Sequence, residues 1–203
     1  MSNIYKAFEK KKAFIPFVTG GDPSLDVTEQ LLYAMEEAGA DLIEIGIPFS
    51  DPTAEGPVIQ EANERALQAG CTTDRLFDML KRAREKVTVP MVFLTYVNPI
   101  FIYGKERFMK KCTECGIDGI IVPDMPYEER EELAPACEKY GVDIIPLIAP
   151  TSNDRIAMIA KKVKAKVSDG AIVKIIAKYG KDCVPYVAEY VKKMKEAVDR
   201  AAQ

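Results

Sequence analysis

No histidine occurs anywhere in the 203 residues. That absence removes the commonest general base and every Ser-His or Cys-His nucleophile pair. Acid–base chemistry, if any, falls to carboxylates, lysines or tyrosines, and a Cys2His2 or Cys3His zinc site is excluded. Cysteine is scarce, and Cys71, Cys112, Cys115, Cys137 and Cys183 form an odd, scattered set that reads as free thiols in a reducing compartment. Cys112 and Cys115 make a C-x-x-C without a second pair. With Phe108 and Met109 they continue the apolar face of a helix, so packing is their expected role. No apolar run approaches the ~18–20 residues of a membrane span, and the first residues lack a signal-peptide core. A net charge of −3 with mixed signs gives no footprint for nucleic acid or an anionic membrane. The expectation is a cytoplasmic protein without metal or cofactor.

What is present is a strict alternation of strands and helices, enough for one α/β domain over residues 1–203. After an amphipathic piece at Asn3 to Lys11, strands are expected at Ala13–Thr19, Leu42–Ile47, Pro90–Tyr96, Gly119–Val122, Asp143–Ile148 and Gly170–Ile176. Helices are expected after Ser24 and Thr73, and over Pro57–Ala69, Lys105–Glu114, Glu128–Tyr140 (kinked at Pro135), Asn153–Lys164 and Val184–Ala201. The strands are apolar on both faces, which belongs to parallel sheets covered by helices. An Asp before an apolar strand recurs at Asp41, Asp118, Asp143 and Asp169, the last three 25 and 26 residues apart. Tandem βα units of this kind point to a (β/α) barrel or a doubly wound sheet, and the period does not choose between them.

One stretch concentrates the chemistry: Ala40 to Pro57, ADLIEIGIPFSDPTAEGP. Glu44 sits in the middle of its apolar strand, where a charge is costly without a use. The loop that follows carries Pro48, Ser50, Asp51, Pro52 and Glu55. Loops after strand C-termini hold the functional groups in both architectures, and here they also contain Thr19, Asp22, Tyr96, Asn98, Asp124 and Thr151. A buried Glu44 with a raised pKa and a more exposed Glu55 would suit opposite acid and base roles. A Glu44 paired with lysine, beside a merely acidic loop, fits the residues as well. Asp51 and Asp124, next to prolines, read as turn caps.

The stretches AFIPFVTGGDP, ADLIEIGIPFSDPTAEGP with IQEAN, LTYVNPIF, DGIIVPDMP and IAPTS resemble the α subunit of tryptophan synthase. The resemblance implies a TIM barrel that cleaves indole-3-glycerol phosphate to indole and glyceraldehyde 3-phosphate, passing indole to a β subunit. Glu44 then matches the proton shuttle at indole C3 and the glycerol hydroxyl. Glu55 stands where the family has an aspartate that handles the indole N–H. Phe17, Thr19, Leu94, Tyr96, Pro123 and Ile148 match the substrate pocket, and Pro48, Ser50, Asp51 and Pro52 match the segment facing the β subunit.

Two departures stand out. The extra methylene of Glu55 shifts a carboxylate by about a bond length, and ~1 Å can cost on the order of 10²-fold in rate. The chain is also short, since a TIM barrel typically takes about 250 residues. The sequence after Ile159 reads as a late helix and last strand of the family, so about two βα units are missing internally. The glycine-rich turns of the family's phosphate cradle go with them. About six strands would then form a rearranged, open Rossmann-like sheet rather than an intact eight-stranded barrel, and its edges would favour a homodimer. The implied function is impaired or lost indole-3-glycerol phosphate cleavage. The alternatives are a non-catalytic regulator of the β subunit, or an engineered or truncated barrel without activity.

Overall fold

Five short strands make one parallel sheet in the computed structural model, which describes residues 3–9, 13–147 and 171–200. They are β1 (Phe17–Thr19), β2 (Ile43–Gly46), β3 (Met91–Leu94), β4 (Gly119–Ile121) and β5 (Asp143–Ile145). Each strand lies beside its successor, in the order β1-β2-β3-β4-β5. Among the described residues the sheet is open and has fewer than eight strands, as expected. Its sequential order is that of a barrel wall, without the reversal that marks a doubly wound sheet.

Register separates the two faces. The row Val18, Ile45, Phe93, Ile120 points to the outer, helix-covered face. There it meets α1 (Leu25–Glu37), α3 (Thr73–Ala83) and α5 (Lys105–Glu114). Two of these helices begin on side-chain caps. Ser24 Oγ accepts the Val27 N–H at 3.3 Å to begin α1, and Thr72 Oγ1 accepts the Arg75 N–H at 3.3 Å to begin α3. Phe77, Phe93 and Phe108 meet edge-on or tilted with centroids 5.4–6.0 Å apart, locking α3 and α5 onto β3. All five cysteines are buried free thiols, and Cys112 and Cys115 pack in this layer.

The inner face holds Leu42, Val92, Ile121 and Ile145. A 3-10 turn at Ile4–Phe8 closes it with Ile4 and Ala7. Gly119 makes room for that plug: a Cβ there would lie 2.8 Å from Ile4 Cδ1. Farther along, α2 (Pro57–Gln68) and α7 (Ala171–Tyr179) pack on each other and on β1, placing Val58, Ile59, Ala62 and Val173 around Phe17 and Leu94. The long α8 (Val184–Arg200) packs against α1, and its Lys195 pairs with Asp41 at 2.8 Å in a largely buried contact.

The repeated aspartates have a structural meaning. Asp41 N–H donates to Phe14 O (3.0 Å) while its Oδ2 accepts the Phe14 N–H (2.8 Å). Asp118 does the same to Met91, at 2.8 and 3.2 Å. Each carboxylate clips its strand to the start of the preceding one, satisfying an amide that the ladder leaves open. Asp118 also accepts from Asn3 N–H at 2.8 Å and faces Arg84 at 3.5 Å. Asp118→Ala is therefore expected to destabilise the fold by about 1–3 kcal/mol, the cost of orphaned buried donors, with Asp118→Asn in between. Urea denaturation measures both. Asp169 lies outside the described residues.

Several elements differ from expectation. The run expected as a sixth strand, Gly170–Ile176, is helical from Ala171 onward. Its apolar residues suit either state, but Ile172, Val173 and Ile176 are buried while Lys174 and Lys178 face out, a helical repeat. The helix Glu128–Tyr140 is broken rather than kinked. A 3-10 segment spans Tyr127–Glu132 and α6 spans Ala134–Tyr140, with Pro135 in its first turn, where its missing N–H is harmless. A short helix, α4 (Val97–Tyr103), follows β3 where only a strand break was expected. The helix expected at Asn153–Lys164 lies outside the described residues.

Candidate active site

Glu44 occupies the inner-face row Phe17, Glu44, Val92. Two apolar side chains flank its carboxyl, and the residue is only 3% exposed. Burial pushes its pKa up to about 7. Its Oε2 finds no hydrogen-bond partner among the described residues, and no ion pair to a lysine is seen among them. The hydroxyls of Thr19 and Thr95 are likewise buried and unpartnered. Two residues along β2, Gly46 leaves space for the Phe17 ring: a Cβ there would meet Phe17 Cζ at 2.8 Å.

Glu55 comes from the loop between β2 and α2 and is half-buried. Burial raises its pKa, opposed by hydrogen bonds from Asn63 and Tyr96. Asn63 Nδ2 donates to Glu55 Oε2 at 2.8 Å. Gln60 Nε2 donates to the Glu55 carbonyl at 2.9 Å, and the Ala54 N–H donates to the Tyr96 hydroxyl at 3.0 Å. Tyr96 follows β3, so the acidic loop is fastened to both α2 and the sheet. Its ring lies 5.4 Å from that of Phe49.

The remaining sequence candidates separate by role. Phe17 and Leu94 pack together with α2 and α7, whereas Pro123 sits half-buried after β4. Ile148 lies outside the described residues. Ser50 and Asp51 are exposed and hydrogen-bond each other, between half-buried Pro48 and Pro52. Asp124 accepts the Val97 N–H with both oxygens, at 3.0 and 3.3 Å, and so caps α4. Asp22 has no solvent exposure and takes both Nε and Nη2 of Arg65, at 2.9 and 2.8 Å, joining the loop after β1 to α2. Asn63 has no role that the sequence alone assigns. Its signal there is a lone amide on the buried stripe of α2, beside Ala62 and Ala66. No cluster of potential metal ligands occurs among the described residues. A cavity of about 500 Å³ lies elsewhere, on the outer side of β4 and β5 between Val122, Tyr127, Cys137 and Ile144.

The arrangement offers one carboxyl that is neutral or charged near pH 7, with an oxygen unpartnered among the described residues, and a second held by the Asn63 amide. That is a layout for proton transfer on a small molecule.

Known proteins similar to this chain agree among themselves. The family model described as tryptophan synthase alpha chain matches residues 5–200. The tryptophan synthase alpha chain of Lacticaseibacillus casei is 49% identical over 161 residues, which cover 79% of this chain and 60% of that protein. The chain thus spans well under two thirds of that relative's length. The crystal structure of the alpha chain from Legionella pneumophila subsp. pneumophila superposes with a TM-score of 0.88 at 28% identity, covering 98% of both chains. A tryptophan synthase complex from Pyrococcus furiosus gives 0.74 at 28% identity, covering 89% of this chain and 96% of that one. With its parallel βα order and these matches, the chain belongs to the tryptophan synthase alpha chain family.

Proposed function

We propose that the chain carries the acid–base pair for cleavage of indole-3-glycerol phosphate to indole and glyceraldehyde 3-phosphate, with an activity impaired by a reduced phosphate site. One observation carries the chemistry: Glu44, buried on the inner face, with an unpartnered Oε2 and a pKa raised to about 7. In this reading protonated Glu44 gives its proton to indole C3 and its carboxylate then takes the glycerol hydroxyl proton. Glu55 accepts the indole N–H proton as C3 is protonated; when the C–C bond breaks to the aldehyde, its electron pair returns to the ring and Glu55 gives the proton back to the indole nitrogen. Phe17 and Leu94 supply an apolar wall for the ring, beside Thr19 and Tyr96.

The impairment rests on the phosphate end. The sequence match covers 60% of the casei relative, while the family model reaches residue 200, consistent with an internal loss of βα units. Glycerol 3-phosphate at millimolar concentration is therefore expected to leave the melting temperature unchanged. A rise of several degrees would show a competent cradle.

The exposed Ser50–Asp51 tip between Pro48 and Pro52 is the surface we assign to a β subunit. Indole release from indole-3-glycerol phosphate, measured with and without a β subunit, tests the function. Slow release that vanishes in Glu44→Gln supports the lyase reading. Stimulation of the β reaction without indole release would leave only the docking role, and no effect in either assay would remove both.

A further inference from the structure

Asn63 is 4% exposed on the packed side of α2. An amide in that position is destabilising unless its donors are used. Its Nδ2 points back across two helical turns to Glu55 Oε2, at 2.8 Å. The helix that carries it is itself fixed: Arg65, two residues on, holds the fully buried Asp22 through both carboxylate oxygens. Asn63 therefore reaches Glu55 from a rigid support rather than from a loop.

We infer that Asn63 is the positioning residue for the Glu55 carboxyl, fixing the orientation of a side chain that has one torsion more than aspartate. The inference deepens the lyase reading and rests on it for the role of Glu55. A glutamate at the tip of a loop samples several rotamers, and only a donor on each side holds it in one. Asn63 supplies the donor from α2 at 2.8 Å, and the Tyr96 hydroxyl at the end of β3 acts on the same carboxyl, opposing the rise that burial causes. Gln60 holds the main chain of the same residue. The charged and titratable groups around this clamp are Tyr96 and, acting on Tyr96, Asp124. A hydrogen bond donated to a carboxylate favours its charged form, so Asn63 also keeps Glu55 ionised against its burial.

The test is a carbon-13 NMR titration of the side-chain carboxyls in glutamate-labelled protein, comparing the parent with Asn63→Leu. The branched shape of the Asn63 side chain is kept and both donors are lost. The expected result is an upward shift of the Glu55 midpoint with the Glu44 midpoint in place. An unchanged Glu55 midpoint in a folded variant overturns the inference. Should Asn63→Leu lose its helical circular dichroism, Asn63→Ser is titrated in its place: a raised Glu55 midpoint supports the clamp, and an unmoved one overturns it. This readout needs no turnover. Absence of indole release would therefore count against the lyase reading alone, while an unmoved midpoint would count against Asn63 whatever the indole assay gives.

Discussion

Glu44→Gln is expected to stabilise the protein by about 3 kcal/mol at pH 8 and, under the proposed lyase function, to abolish indole release. The stability half follows from the raised pKa, about 7 in the fold against 4.5 for the free side chain. Between those values the folded state keeps a proton that the unfolded chain has released. Stability therefore falls as pH rises from about 4.5 to about 7, then levels off with the full penalty present. At about 1.4 kcal/mol per pH unit the window amounts to roughly 3 kcal/mol. Glutamine cannot ionise, so the variant escapes that loss and its stability from this site is flat. Denaturation at pH 4.5 and at pH 8 should show the two proteins converging at low pH and separating at high pH. The activity half is the general acid–base term, typically 10²–10⁴-fold. A gain in stability coupled to a loss of turnover marks a residue retained for chemistry.

Arg65→Leu is expected to destabilise by about 3–5 kcal/mol, because it strands a charge. Asp22 has no exposure, and its two oxygens rest on the Arg65 guanidinium at 2.8–2.9 Å. Removing the cation leaves the carboxylate beneath the protein surface with its main counter-charge gone. Arg65→Lys should recover only part of the loss, since a single ammonium cannot match a bidentate fork. Pairing Arg65→Leu with Asp22→Asn should restore part of it by removing the stranded charge. Urea midpoints of the three variants decide this. A cost below about 1 kcal/mol for Arg65→Leu would place the pair among exposed surface bridges.

How far the sequence can be read depends on whether a signal is local. Glu44 is legible because an acid inside LIEIGI contradicts its own strand. That contradiction survives folding as an unpartnered buried oxygen. The recurring aspartates are visible as a period, but their bonds to Phe14 and Met91 join neighbouring strands far apart in sequence, which no single stretch reveals. Residues 171–176 mislead because isoleucine and valine favour strands locally. The helix is set by which of them packing buries, against Phe17 and Ala62. Asn63 escapes notice for the opposite reason. Its one telling contact is with a loop eight residues back, and an asparagine in a helix usually signals nothing. Asp124 reads as a turn cap beside its proline, but the amide it caps is that of Val97 at the start of α4, 27 positions earlier in the chain.

The central claim is that this chain keeps a buried, proton-exchanging acid at Glu44. Carbon-13 titration of its carboxyl measures that directly. The expected midpoint is near 7, the value burial sets. A midpoint in the ordinary glutamate range, about 4.3, would contradict it.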